Sequence, residues 1–151
     1  MLACGERRRH IGSMDAFAQL VDDFSFLSDW EDRYRHVIEL GKTLAPLAES
    51  ERNENARVRG CAAQVWLVSE RGSSADPILS FRGDSDAVIV RGLNGILFMM
   101  FYGKRDREIL ALDARAELAR LSLAEHLSAQ RANGLFSMVE RIRTEAARAM
   151  S

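Results

Sequence analysis

Two β-rich runs, Gln64–Ser69 and Ile78–Arg82, are neighbours in this chain, with only turn chemistry between them. Val65, Trp66 and Val68 mark the first run, and Ile78, Leu79 and Phe81 the second. The connecting Arg71-Gly72-Ser73-Ser74-Ala75-Asp76-Pro77 is built of turn formers. Strands this close in sequence pair antiparallel, because a parallel pair needs a crossover of about a dozen residues or more. The other strongly periodic segments read as helices before and after the hairpin. The chain is therefore expected to be α+β, not α/β. Its small antiparallel sheet, packed against helices, gains a third short edge strand from Arg57-Val58-Arg59.

A first helix is expected over Asp15–Leu27, where Phe17, Leu20, Val21 and Phe24 recur at spacings of three and four. Ser28 followed by Glu31 has the form of a capping box. The helix it opens carries Trp30, Tyr34, Val37, Ile38 and Gly41 on one face and ends near Leu44 or Ala45, ahead of Pro46. Val88-Ile89-Val90 has strand propensity, but Ile89, Leu93, Ile96, Leu97 and Met100 keep helical spacing, so a buried helix is expected from Asp86 to Tyr102. Asp84 and Asp86 suit its start as caps or dipole partners. Gly92 and Gly95 weaken it by about 1 kcal/mol each relative to alanine, yet would let another backbone approach. Short helices follow over Asp106–Leu112 and Asp113–Leu121. A last helix, capped by Ser128, shows Leu135, Val139, Ile142, Ala146 and Ala149 on one face.

The chain's 151 residues suit one domain, and 21 basic against 22 acidic residues create no global field for nucleic acid or membrane. Arg7-Arg8-Arg9-His10 is followed by no apolar segment, so residues 1–13 read as a flexible tail and 14–151 as the folded domain. The longest apolar stretch, Ile96–Tyr102, is too short to span a bilayer. Two cysteines, one of them Cys4 in the tail, make no disulfide framework and fit a reducing, cytoplasmic setting. No phosphate-binding loop or dinucleotide fingerprint occurs, and His10, His36 and His126 lack metal-type spacing. No cofactor or metal is expected.

Cys61 is the remaining chemical feature. It follows Gly60 and directly precedes the first strand, with Arg57 and Arg59 upstream. A thiol of ordinary pKa, about 8.5, is only a few per cent ionised at neutral pH, so a nucleophile here needs cationic help. Local sequence leaves two readings open: a small buried apolar residue or a nucleophile. A Cys–His hydrolase using His126 is a further option, but no nucleophile motif surrounds Cys61.

Five blocks in order resemble the SufE family of sulfur acceptor proteins. They are Asp29-Trp30-Glu31-Asp32-Arg33-Tyr34; Ile38-Glu39-Leu40-Gly41; Gly60-Cys61 with Gln64-Val65-Trp66; Gly83-Asp84-Ser85-Asp86-Ala87 with Ile89-Val90-Arg91-Gly92-Leu93; and His126-Leu127-Ser128 with Arg131 and Asn133-Gly134-Leu135. The resemblance runs from Phe24 to about Ala147 and implies the SufE/NifU-like fold, a small three-stranded antiparallel sheet with helices. It implies that Cys61 accepts sulfur from the persulfide of a PLP-dependent cysteine desulfurase (SufS/CsdA-like). Cys61 would stimulate that enzyme and pass the sulfur to a SufBCD-like iron–sulfur scaffold, the protein itself being a carrier and not an enzyme. The alternative is a regulatory partner of the desulfurase that takes no sulfur.

By position, Gly60, Asp86, Arg131 and Gly134 become supporting residues. Arg131 would lie near the Cys61 loop and favour a thiolate or persulfide anion, outranking Arg57 and Arg59, while Asp86 would fix the loop or the helix start. Ala63 stands where the family usually has serine, which removes a hydroxyl from the loop.

Overall fold

A computed structural model describes residues 15–61, 63–73 and 77–150, with the side chains of 149 and 150 excepted. The expected tail with Cys4 and its arginines, the middle of the 71–77 turn and the inward position of Ala149 lie outside the described residues. The elements in order are α1 Ala16–Ser25, α2 Trp30–Thr43, β1 Val65–Arg71, β2 Leu79–Ser85, α3 Val88–Phe101, α4 Asp106–Ala111, α5 Ala114–Ala119 and α6 Ala129–Met150. Single 3₁₀ turns occupy Glu49–Glu51 and Ala124–His126. The α+β expectation holds.

Helix α3 is the centre of the core. Every residue from Gly92 to Phe101 is buried, as an apolar helix enclosed on all sides requires. It packs on α1, α2, β2 and α6, most extensively on α2. Two glycines allow that close crossing. A Cβ on Gly41 would lie 2.7 Å from the Gly92 nitrogen, and one on Gly92 would overlap the Val37 carbonyl and lie 2.6 Å from Val37 Cγ1. Phe17, Leu20 and Phe24 of α1 cover one flank of this core, and Leu135, Met138, Ile142 and Ala146 of α6 contribute another apolar face.

The caps differ in part from expectation. Asp29, not Ser28, caps α2: its Oδ1 accepts the Glu31 N–H at 3.0 Å. Ser128 does cap α6, accepting the Arg131 N–H at 3.1 Å. The carboxylates expected at the start of α3 do not cap it, and Ala87 fills the N-cap position without a side-chain bond. Instead β2 runs on through Gly83, Asp84 and Ser85, which face Leu67, Trp66 and Val65 of β1. Buried Asp84 accepts the Leu47 N–H at 3.0 Å and lies 3.4 Å from Arg91 Nε, while Arg91 Nη2 donates to the Leu44 carbonyl at 2.9 Å. The strand continues because tertiary donors satisfy groups that local reading assigns to a helix end.

Among the described residues the sheet has two strands rather than three. The Arg57 segment forms a single bridge to Trp66, with Val58 N–H to the Val65 carbonyl and Leu67 N–H to the Ala56 carbonyl, both 2.8 Å. It then turns away at Gly60, whose φ of +87° lies in the region that favours glycine. A would-be strand is thus cut short to make the turn that carries Cys61. Among the described residues no helix is long and apolar enough to cross a membrane.

Candidate functional site

The Cys61 loop is pinned at both ends. Upstream is the bridge to β1. Downstream, Gln64 is fastened three times: its N–H donates to Asp86 Oδ1 at 3.1 Å, and its carbonyl accepts the Asp86 N–H at 3.2 Å and the Ser85 hydroxyl at 2.7 Å. Asp86 therefore acts on the loop, while Ser85 ties the loop to the start of α3, its hydroxyl also accepting the Ala87 N–H at 3.2 Å. The turn itself rests on α6, where a Cβ on Gly60 would lie 2.6 Å from Ser137 Oγ.

Cys61 is half-buried and its Sγ donates to the Gly134 carbonyl, 3.6 Å away on the second turn of α6. A Cβ on Gly134 would lie 3.5 Å from the sulfur, so glycine leaves open the space beside it. Next to the thiol is a cavity of about 280 Å³ with apolar walls from Val65, Ala87, Val90 and Met138, and with Ser128 and Arg131 among its polar residues. Ala63 is also among the residues that line it. A larger hollow of about 540 Å³ between α1 and α2, near Leu20, His36 and Leu40, has no thiol among the described residues that line it.

Burial pushes the Cys61 pKa up, and the Arg57 guanidinium offsets part of that rise. Arg57 is thus the cation acting on the resting thiol, where the family resemblance ranks Arg131 above it. Arg131 does lie at the cavity, solvent-exposed, and its guanidinium makes no hydrogen bond or ion pair among the described residues. Arg59 is taken up by Glu54 at 3.0 Å on the surface. The resting arrangement thus favours a neutral thiol, with an unpaired guanidinium nearby for an anion that forms later.

His126 does not join the thiol. It stacks on Trp30 at a ring separation of 3.8 Å, Arg33 lies 4.9 Å from the Trp30 ring, and the His126 carbonyl accepts the Tyr34 hydroxyl at 3.4 Å. Trp30 and Tyr34 are half-buried anchors of the segment entering α6, and the Cys61–His126 hydrolase arrangement is not formed. No group of three or more His, Cys, Asp or Glu suited to a metal occurs among the described residues.

Local sequence pattern did not reveal that Arg141 of α6 also holds this loop. Its Nη1 donates to the Arg57 carbonyl at 2.9 Å and its Nη2 to the Asn55 carbonyl at 2.6 Å. A helical pattern placing Arg141 two turns beyond Gly134 on one face was the available signal.

Comparison with known proteins bears on this geometry. Residues 18–146 match the family model described as SufE, Fe-S metabolism associated domain. An uncharacterized SufE-like protein of Rhizobium meliloti is 53% identical over 134 residues, 88% of this chain and 96% of the relative. One from Rhizobium etli is 56% identical over 134 residues, 88% of this chain and 90% of the relative. The solution structure of a hypothetical protein from Thermus thermophilus shares the fold, with a TM-score of 0.68, 17% identity, and coverage of 90% of this chain and 96% of that one. With the family model spanning most of the chain and close relatives matching nearly end to end, this chain belongs to the SufE family and has a role in iron–sulfur metabolism.

Proposed function

We propose that this protein is a sulfur carrier for iron–sulfur cluster assembly, with Cys61 as the carrying atom's anchor. The donor is the persulfide of a PLP-dependent cysteine desulfurase. The Cys61 thiolate attacks the terminal sulfur of that persulfide, the donor's S–S bond breaks, and a new S–S bond forms on Cys61. The desulfurase cysteine leaves as thiolate and takes up the proton that Cys61 lost. The step is a thiol–disulfide exchange with a sulfane sulfur as electrophile, and it needs no external oxidant or reductant. Removing sulfur from the desulfurase frees it for another turnover, so the carrier stimulates an enzyme without forming a product of its own. The sulfur then passes to a cluster-assembly scaffold.

The observation that carries this reading is the placement of Cys61 against the Gly134 carbonyl, beside a small apolar cavity with an unpaired Arg131. The cavity offers a second sulfur shelter from water and oxidants, and Arg131 offers charge to a persulfide anion. Asp86 cannot favour that anion by charge; its part is to hold the loop through Gln64.

The test is to incubate the protein with a cysteine desulfurase and free cysteine, then measure the mass of the Cys61 peptide. One added sulfur is expected, and Cys61→Ser should abolish stimulation of the desulfurase. Undiminished stimulation by Cys61→Ser would overturn the carrier reading and select a partner that acts by binding alone.

A further inference from the structure

Four residues of α6 that touch the Cys61 segment or β1 follow one helical stripe: Gly134, Ser137, Arg141 and Glu145, spaced by three, four and four. Gly134 takes the Cys61 thiol and Ser137 lies under Gly60. Arg141 grips two carbonyls of the approach to the loop, at Asn55 and Arg57. Glu145 accepts from Arg141 Nε at 2.9 Å and from the Ser69 hydroxyl of β1 at 3.0 Å. The Arg141 and Glu145 side chains are only 19% and 17% exposed, so this is a partly desolvated pair and not a loose surface contact. Burial works against the Glu145 carboxylate, but its bonds to Arg141 and Ser69, together with the charges of Arg141 and of Arg148 3.4 Å away, outweigh that and hold its pKa below the usual range. Glu145 is therefore charged at neutral pH, and one Arg141 nitrogen is committed to it while two reach the loop.

We infer that Arg141, oriented by Glu145, is a positioning residue for Cys61: it clasps the loop's approach strand to α6 and so keeps the thiol seated against Gly134. Its importance for sulfur transfer rests on Cys61 being the carrier, but its effect on the thiol does not. A lysine cannot replace it in full, since the fork of the guanidinium is what spans two carbonyls and a carboxylate together. Arg57 is drawn into the same device. Its carbonyl is a clasped atom and its guanidinium is the cation acting on Cys61, so release of the clasp alters both burial and charge at the sulfur. Burial is the larger influence on this thiol, so release should on balance ease its ionisation. The charged groups at the thiol are then Arg57 from its own segment and Arg131 from α6, with Asp86 pinning Gln64 from the side of α3.

The test is alkylation of the full chain by iodoacetamide from pH 6 to 10 without any desulfurase, following the Cys61 peptide by mass so that Cys4 does not contribute. Arg141→Gln should alkylate Cys61 at least about fivefold faster than wild type at pH 7.5, with its midpoint moved to lower pH. Arg141→Lys should lie between the two. Glu145→Gln, which keeps the arginine and removes its ion pair, should give an acceleration of about twofold and serves if Arg141→Gln fails to fold. Gly92→Ala, which strains the α2–α3 crossing at Val37 and touches none of the contacts that clasp the loop, should leave the profile unchanged. The inference is overturned if the folded Arg141 and Glu145 variants superimpose on wild type, or if Gly92→Ala accelerates alkylation as much as they do. Because no desulfurase is present, a failure here is separate from a failure of persulfide transfer.

Discussion

A thiol that donates to a backbone carbonyl is disfavoured as an anion in two ways. Burial removes the water that would solvate a thiolate, and the Gly134 carbonyl would face it with a lone pair. The raised pKa of Cys61 follows from the first effect, against the partial opposition of Arg57. This has a consequence for stability. A folded-state pKa above the unfolded one means that the native protein holds its proton longer as pH rises. The stabilisation is complete below the unfolded value of about 8.5 and is lost as pH climbs through the folded value. Urea unfolding of wild type should therefore lose stability above pH 8.5 more steeply than Cys61→Ser does, the comparison removing lysine and tyrosine titrations common to both. Parallel curves would contradict the protonated resting state. The same residue-scale logic separates two aspartates that look alike in sequence: Asp84 is buried with Leu47 and Arg91, and exposed Asp86 reaches Gln64 in the cysteine loop. Periodicity cannot tell them apart, because what differs is the tertiary donor each one meets.

Among the elements, α3 shows how packing overrides propensity. Gly92→Ala should gain about 1 kcal/mol from helix propensity. It would also force a Cβ onto the Val37 carbonyl and Cγ1 across the α2–α3 crossing. Overpacking of this kind costs about 1–3 kcal/mol, and backbone atoms on the receiving side leave little to yield, so the clash wins. With the clash at the upper end of that range, net destabilisation of about 2 kcal/mol is expected, or a Tm lower by about 4–8 °C, measured by thermal unfolding. A Tm equal to or above that of wild type would show that α2 and α3 separate freely. The helices were legible because their apolar spacing is long and regular, and even the close approach at Gly92 could be anticipated. The ends of the strands were not. Gly83-Asp84-Ser85 has the composition of a turn or cap and becomes strand only because Val65–Leu67 of β1 stand opposite. The third strand failed for the opposite reason, since the Arg57 segment has β character but is diverted at Gly60 after one bridge.

At the scale of the molecule, the thiol lies where three separate stretches of chain meet: the loop before β1, the end of β2 with Asp86, and the first turns of α6. Cys61 and the Gly134 carbonyl are 73 residues apart, and no local pattern links them. The ordered SufE-like blocks nominated both residues, but not the contact between them, nor the precedence of Arg57 over Arg131 at the resting thiol. These depend on how deeply the loop is seated, which only the assembled fold determines. In the carrier proposed above, a seated, protonated thiol is guarded against oxidants while free, and its sulfur must become accessible when a donor binds. Free protein at pH 7.5 should therefore alkylate at Cys61 about tenfold more slowly than an unperturbed thiol. Excess desulfurase, with its own nucleophilic cysteine changed to serine so that only Cys61 reports, should raise that rate several-fold as the loop leaves α6. The interface itself would shield a thiol that stayed in place, so a rate that falls or stays constant on complex formation would mean that the sulfur is exchanged without unseating the loop. A rise would instead identify the contact with Gly134 as the one that partner binding breaks.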